Sequence, residues 1–288
     1  MFRALPIGYA RARHAEVQHH GDMSQPQELP EEGRASVRGI ELPTGRRLPP
    51  DPGSPAPVAW ATDEPVDDAR GTLRSLRIAR DDDALIPLLL YGIGGDVGER
   101  PWDNAEFSAS DLSRIDALDA AQLLTEWWAM SMPDPEEDAE ETAEVLSPFS
   151  RSFPGLAPAE ETTIADALLD EGLQLLPEGR VRLVTAARPA DAIAVLGWQG
   201  ALNYDQAPDE LSAVLRSWEE RFGATLVAVG FDTLHLLVER PPQSAESAIR
   251  VAAEHFAFCT DSVDQGAGSI RELAQELEGA PIWSFWWD

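Results

Sequence analysis

The hydrophobic pattern changes character along the chain. Residues 1–22 show no helical or strand period, and residues 23–56 are rich in Pro, Gly and Glu, without a core of their own. From Ala56 the pattern becomes globular. Pro57 to Thr62 has strand character. Val66, Ala69, Leu73 and Leu76 then recur at helical spacing, and Leu85 to Tyr91 is a continuous apolar run of strand length. Strand, helix and strand over so short a stretch predict a βαβ unit. Ala120, Leu123, Leu124, Trp127 and Trp128 form the apolar stripe of a later helix. Pro133 to Glu144 then carries seven acids and no basic residue, which predicts a solvated loop or linker.

The C-terminal pattern is the clearest. A helix over about Thr163 to Leu176 leads to a strand, Val181 to Ala187, and a short helix from Arg188-Pro189 to Gly197. Pro208 to Phe222 is amphipathic, with Leu211, Val214, Leu215, Trp218 and Phe222 on one face and Gly223 past its end. Thr225 to Phe231 and Leu234 to Glu239 predict a hairpin turning at Asp232-Thr233. Two more helices follow, over Ala245 to Phe256 behind the cap Ser244, and behind the capping box Ser269/Glu272. Ile282 to Trp287 is the last strand. The fold class is therefore α/β (α+β). The C-terminal domain reads as a ferredoxin-like split βαβ antiparallel sheet with an extra helix and helices on one face, preceded by a βαβ-like N-terminal region. The expected divisions are 1–55 (disordered or a mis-assigned start, with Met23 a second candidate), 56–132 (N-terminal α/β region), 133–160 (acidic, Pro-rich linker) and 161–288 (C-terminal domain). The pattern leaves open whether the two halves share one sheet.

Composition narrows the function classes. There are 51 acidic residues against 22 basic ones, a net charge of −29, and every basic residue is arginine. Without lysine there is no Schiff-base nucleophile and no phosphate-loop lysine. Such acidity argues against nucleic acid and against anionic membranes. The excess is uneven: Asp51 to Arg180 carries −21 and Val181 to Asp288 only −9. One cysteine excludes an internal disulfide and a Cys-rich zinc site. No run is long enough to span a bilayer and no secretory signal precedes the chain, so a cytoplasmic location is expected.

Candidate chemistry is sparse. His255 and Cys259 stand four apart on a helix, the spacing of a Cys–His pair, with Asp261 near enough to orient the imidazole. Against this, Cys259 lies near the helix C-terminus, where the dipole disfavours a thiolate, and continues an apolar stripe. Asp261 and Asp264 beside Gly266 and Gly268 lack cation-loop spacing, because Val263 and Gln265 stand at ligand positions. Gly92, Gly94 and Gly95 follow an apolar strand but open no helix and have no lysine, so they read as a turn. His14, His19 and His20 read as part of a mis-assigned start in preference to a metal-binding His tract, and neither a cofactor nor a metal is expected. Tryptophan, with nine residues, is the other signal. In the last strand Trp283, Phe285 and Trp287 point one way and Ile282, Ser284 and Trp286 the other. The favoured reading is that the N-terminal half or the preceding helix covers these aromatics; the alternative is a partner surface, for which Trp218, Glu219, Arg221, Trp283, Trp286, Trp287 and Asp288 are the candidate binding residues, since Trp and Arg commonly anchor partners.

One resemblance can be drawn. It rests on Arg188-Pro189-Ala190-Asp191, Gly197-Trp198, the run Leu215 to Ala224, Val229 to Leu234, His255 to Cys259 and the terminal Trp286-Trp287-Asp288. Together these resemble the bacterial family, common in actinobacteria, known as domain of unknown function 4253, over roughly residues 180–288. Upstream, Arg100-Pro101-Trp102-Asp103 and Ser113-Arg114-Ile115-Asp116 are similar to what precedes the domain in streptomycete members. The resemblance implies no activity and no catalytic residues. The leading expectation is a non-catalytic protein-binding module with a basic protein partner, in its most concrete form an immunity protein neutralising a basic toxin. The alternative is a small-molecule enzyme using His255 and Cys259. Oligomeric state stays open.

Overall fold

A computed structural model describes residues 28–48, 57–80, 84–92, 101, 106–108, 110–132 and 139–288. The histidines of the N-terminal stretch, the triple aspartate at 81–83, Gly94, Gly95 and Trp102 lie outside these residues. The strands are β1 (Gly33–Val37), β2 (Ile40–Leu48), β3 (Ala59–Thr62), β4 (Leu85–Leu90), β5 (Arg180–Thr185), β6 (Ala224–Val229), β7 (Thr233–Val238) and β8 (Ile282–Trp286). The helices are α1 (Ala69–Ile78), α2 (Ala120–Met130), α3 (Ala139–Leu146), α4 (Asp166–Gln174), α5 (Ala192–Leu196), α6 (Pro208–Phe222), α7 (Ala245–Phe258) and α8 (Ile270–Leu277).

All eight strands form one open sheet in the order β1-β2-β3-β5-β4-β6-β7-β8. Every pairing is antiparallel except β4 with β6. The two halves of the chain therefore share a sheet, the arrangement the pattern left open. The βαβ reading of β3, α1 and β4 holds in direction, because both strands run antiparallel to β5, which lies between them.

The ferredoxin-like order does not appear. Two strands decide the difference. β4 reads Leu-Ile-Pro-Leu-Leu-Leu and is buried at every position. A strand apolar on both faces belongs inside a sheet, and β4 separates β5 from β6. It meets β6 only through Leu89 and Leu90, past Pro87, which has no N–H to give a ladder. β8 alternates buried and exposed residues, and stays at the edge beside β7.

Helices also cover both faces rather than one. Leu73 and Leu76 of α1 and Leu173 of α4 pack with Leu89, Leu183 and Val227 on one side. On the other, α2, α5, α6, α7 and α8 bury a larger core that includes Leu88, Val184, Leu236 and Phe285. Residues 33–48, expected to lack order, form the β1–β2 ribbon. It builds no separate core: Ala35, Val37 and Leu42 extend the α1/α4 side. The acidic run is not all loop either, since its second half is the start of α3, whose Leu146 is buried in the larger core. Glu and Ala favour a helix once one side can be buried. Among the described residues no helix is long and apolar enough to cross a membrane.

Candidate functional site

The residues that carry the resemblance converge on α6 and α7. Arg188 donates from Nε to Glu219 at 2.9 Å and from Nη1 to Glu220 at 3.0 Å, while the Ala190 N–H also donates to Glu219. Arg216 grips Asp191 with Nε (2.5 Å) and Nη2 (2.9 Å) and reaches Asp116 with Nη1. These forks pin the turn before α5 onto α6. Asp191 and Asp116 push the Arg216 pKa up. Trp198 is buried and donates its indole N–H to Gly230 O at 2.9 Å. Gly197 before it takes φ 68°, and a Cβ there would lie 2.2 Å from the Ser108 carbonyl oxygen, so the position requires glycine.

Glu254 of α7 is the interior hub. It is 0% exposed and accepts four hydrogen bonds, from Ala157 N (2.6 Å), Trp218 Nε1 (2.8 Å), Arg221 Nη1 (2.8 Å) and Arg221 Nη2 (2.6 Å). Beside it His255 is buried among Trp218, Trp283 and Phe285, with ring centroids 4.7–5.2 Å away. Burial pushes its pKa down to about 3, so the ring is neutral. Its Nε2 has no hydrogen-bond partner among the described residues. Cys259 is buried too, and its Sγ donates to Trp286 O at 3.0 Å. Burial pushes this thiol up to about 12. Asp261 does not turn toward His255. It accepts from the Tyr204 hydroxyl, from Gln265 Nε2 at 2.9 Å and from Asp288 N at 3.0 Å. The three residues grouped by spacing thus occupy separate environments, with a neutral imidazole and a protonated thiol. An imidazole that weakly basic does not deprotonate so weakly acidic a thiol, so this pair is not an activated Cys–His couple.

The candidate binding residues divide as well. Trp218, Trp283 and Trp287 are core residues, and Glu219 and Arg221 are held by the contacts above. The alternation read in the last strand is correct: Trp283, Phe285 and Trp287 are buried under the helices, and Trp286, on the other face, is 41% exposed. Trp286 donates to Asp232 Oδ2 at 3.3 Å, and Trp287 donates to Gln206 at 3.0 Å.

A cleft lies where the strands end. β4, β6 and β8 point the same way, so Leu90, Val229 and Trp286 finish at one end of the sheet. There a cavity of about 490 Å³ is lined by Phe107, Leu202, Phe231 and Trp287, by Gln199, Gly200 and Asn203, and by the acidic residues Glu106, Asp232 and Asp288. Burial, with a smaller share from Asp288, raises the Asp232 pKa. Leu202 stands 61% exposed at the mouth. Of this set the sequence singled out only Trp287 and Asp288. Asp232 was legible as a turn residue and Phe231 as the end of a strand, whereas Gln199 and Leu202 carry no local signal, and the set meets only through tertiary packing. Among the described residues no group of three or more His, Cys, Asp or Glu could hold a metal ion.

Residues 180–288 match the family described as domain of unknown function (DUF4253). No curated protein matches the chain, and no solved structure does.

Proposed function

We propose that the chain is a non-catalytic, cytoplasmic protein-binding module, and that the cleft at the ends of β4, β6 and β8 receives a basic side chain of its partner. The observation that carries this reading is the cleft itself. A lining that combines aromatic and aliphatic side chains with three carboxylates suits an arginine or lysine, whose stem is apolar and whose head is cationic. The net charge of −29 would steer a basic protein toward the chain. A basic toxin neutralised by this chain is the most concrete form of the proposal and rests on charge alone. The enzyme alternative draws no support from His255 and Cys259, whose protonation states suit a core.

Site-specific photo-crosslinking tests the reading. A crosslinker at Leu202, at the cleft mouth, should capture a basic protein, and the Asp232→Asn/Asp288→Asn variant should lose that capture. A crosslinker at Leu175, 70% exposed on α4's side of the sheet, should not capture it. Equal capture from both positions, or capture indifferent to the two carboxylates, would overturn the proposal.

A further inference from the structure

On the opposite side of the sheet, α1 presents Arg70, Arg74 and Arg77 at helical spacing toward α4. The first two are committed. Arg70 pairs with Glu178 at 3.1 Å and donates to Gln174 O, and Arg74 forks onto Asp170, with Nη2 to Oδ2 at 2.8 Å. Arg77 breaks the series. Among the described residues it has no hydrogen-bond or ion-pair partner, and Glu239 attracts it only from beyond contact distance. It keeps some solvent contact, but protein atoms crowd its guanidinium, and this burial lowers its pKa to about 10.

An uncompensated cation in such a place is costly. The dipole at the end of α1 favours a cation there, but an arginine held out in water would satisfy it equally. What adjoins Arg77 is a groove of about 230 Å³ between α1 and α4, walled by Ile78, Leu169, Leu173 and Leu237. Two carboxylates also border it. Both face Arg74: Asp170 is forked by its guanidinium, and the charge of Asp166 also acts on Arg74 and helps to raise its pKa.

We propose that this groove binds a small monocarboxylate with a short apolar chain, the carboxylate on the Arg77 guanidinium and the chain against Leu169, Leu173 and Leu237. A guanidinium presents two parallel N–H groups that match a carboxylate. The volume is below the ~300–1,000 Å³ of pockets for drug-sized ligands, which sets the ligand's length. The site shares no lining residue with the acidic cleft and stands or falls independently of it.

Calorimetric titration of the full chain with octanoate at pH 7 tests the proposal, with octan-1-ol and octylamine as matched chains lacking the anion. Octanoate should bind, and the alcohol and the amine should bind at least about tenfold more weakly, the least that losing charge-assisted hydrogen bonds costs. Arg77→Gln should weaken octanoate by a similar factor while its circular dichroism stays that of the unaltered chain. Octanoate and octan-1-ol binding alike to the unaltered chain would overturn the proposal without recourse to any variant. So would full octanoate affinity in Arg77→Gln, or binding only of a peptide ending in a free leucine carboxylate.

Discussion

Replacing Glu254 by methionine removes the acceptor of four hydrogen bonds while nearly keeping side-chain volume. The Arg221 guanidinium, its side chain 13% exposed, is left as a cation with little solvent, and the Trp218 and Ala157 N–H groups lose their partner. Removing one member of a buried ion pair costs about 3–5 kcal/mol, chiefly through the charge left behind. Arg221→Met should cost about as much, because it strands the Glu254 carboxylate. The double replacement strands neither charge. It should cost less than either single change, since well-packed apolar residues often substitute for a buried pair at little net loss. Urea unfolding followed by tryptophan fluorescence reads this directly. At a slope of about 3 kcal/mol/M each single change should lower the midpoint by roughly 1–1.7 M. Single changes that each cost under about 1 kcal/mol and sum to the double would refute the reasoning. Glu254 would then be an ordinary peripheral carboxylate rather than the hub of α6 and α7.

Two further outcomes concern the residues that spacing suggested for chemistry. His255 is neutral when folded down to about pH 3, whereas in the unfolded chain it titrates near 6.5. Below pH 6.5 the unfolded state takes up a proton that the folded state refuses. Stability therefore falls from pH 6.5 toward 3, by up to about 1.4 kcal/mol per pH unit for this residue. His255→Phe should remove that share, so urea midpoints of the two proteins should diverge between pH 6.5 and 4.5. Superimposable profiles would count against a buried neutral imidazole. Cys259, with its thiol pushed up to about 12, should resist a thiol reagent at pH 8 until urea unfolds the chain. Stoichiometric labelling of the native protein within minutes would show it exposed.

What could be read from sequence was what neighbours in sequence decide. The extent of α6 follows from Pro208, the stripe Leu211 to Phe222 and Gly223, and the structure reproduces it residue for residue. The hairpin at Asp232-Thr233 and the Ser269 cap of α8 are equally local. The position of β4 was not readable, because its apolar run says that it is buried on both faces but not which strands flank it. The same limit hid the cleft. Leu202, Phe231 and Trp287 are far apart in sequence and meet because three strands end together. Conversely, four-residue spacing put His255 and Cys259 on one helix but could not tell that each would be enclosed by aromatic rings or backbone rather than by the other.

The placement of β4 also bears on what the matched segment is. Residues 180–288 supply β5, β6, β7 and β8, yet the strand that joins β5 to β6 lies about ninety residues upstream, at Leu85–Leu90. Excised, the segment would hold two sheet margins facing an empty slot, each with backbone donors and acceptors seeking a ladder. The unit that similarity delimits is thus smaller than the unit that folds cooperatively. In this chain the strand that fills the slot comes from outside the matched segment, as the apolar run Leu-Ile-Pro-Leu-Leu-Leu.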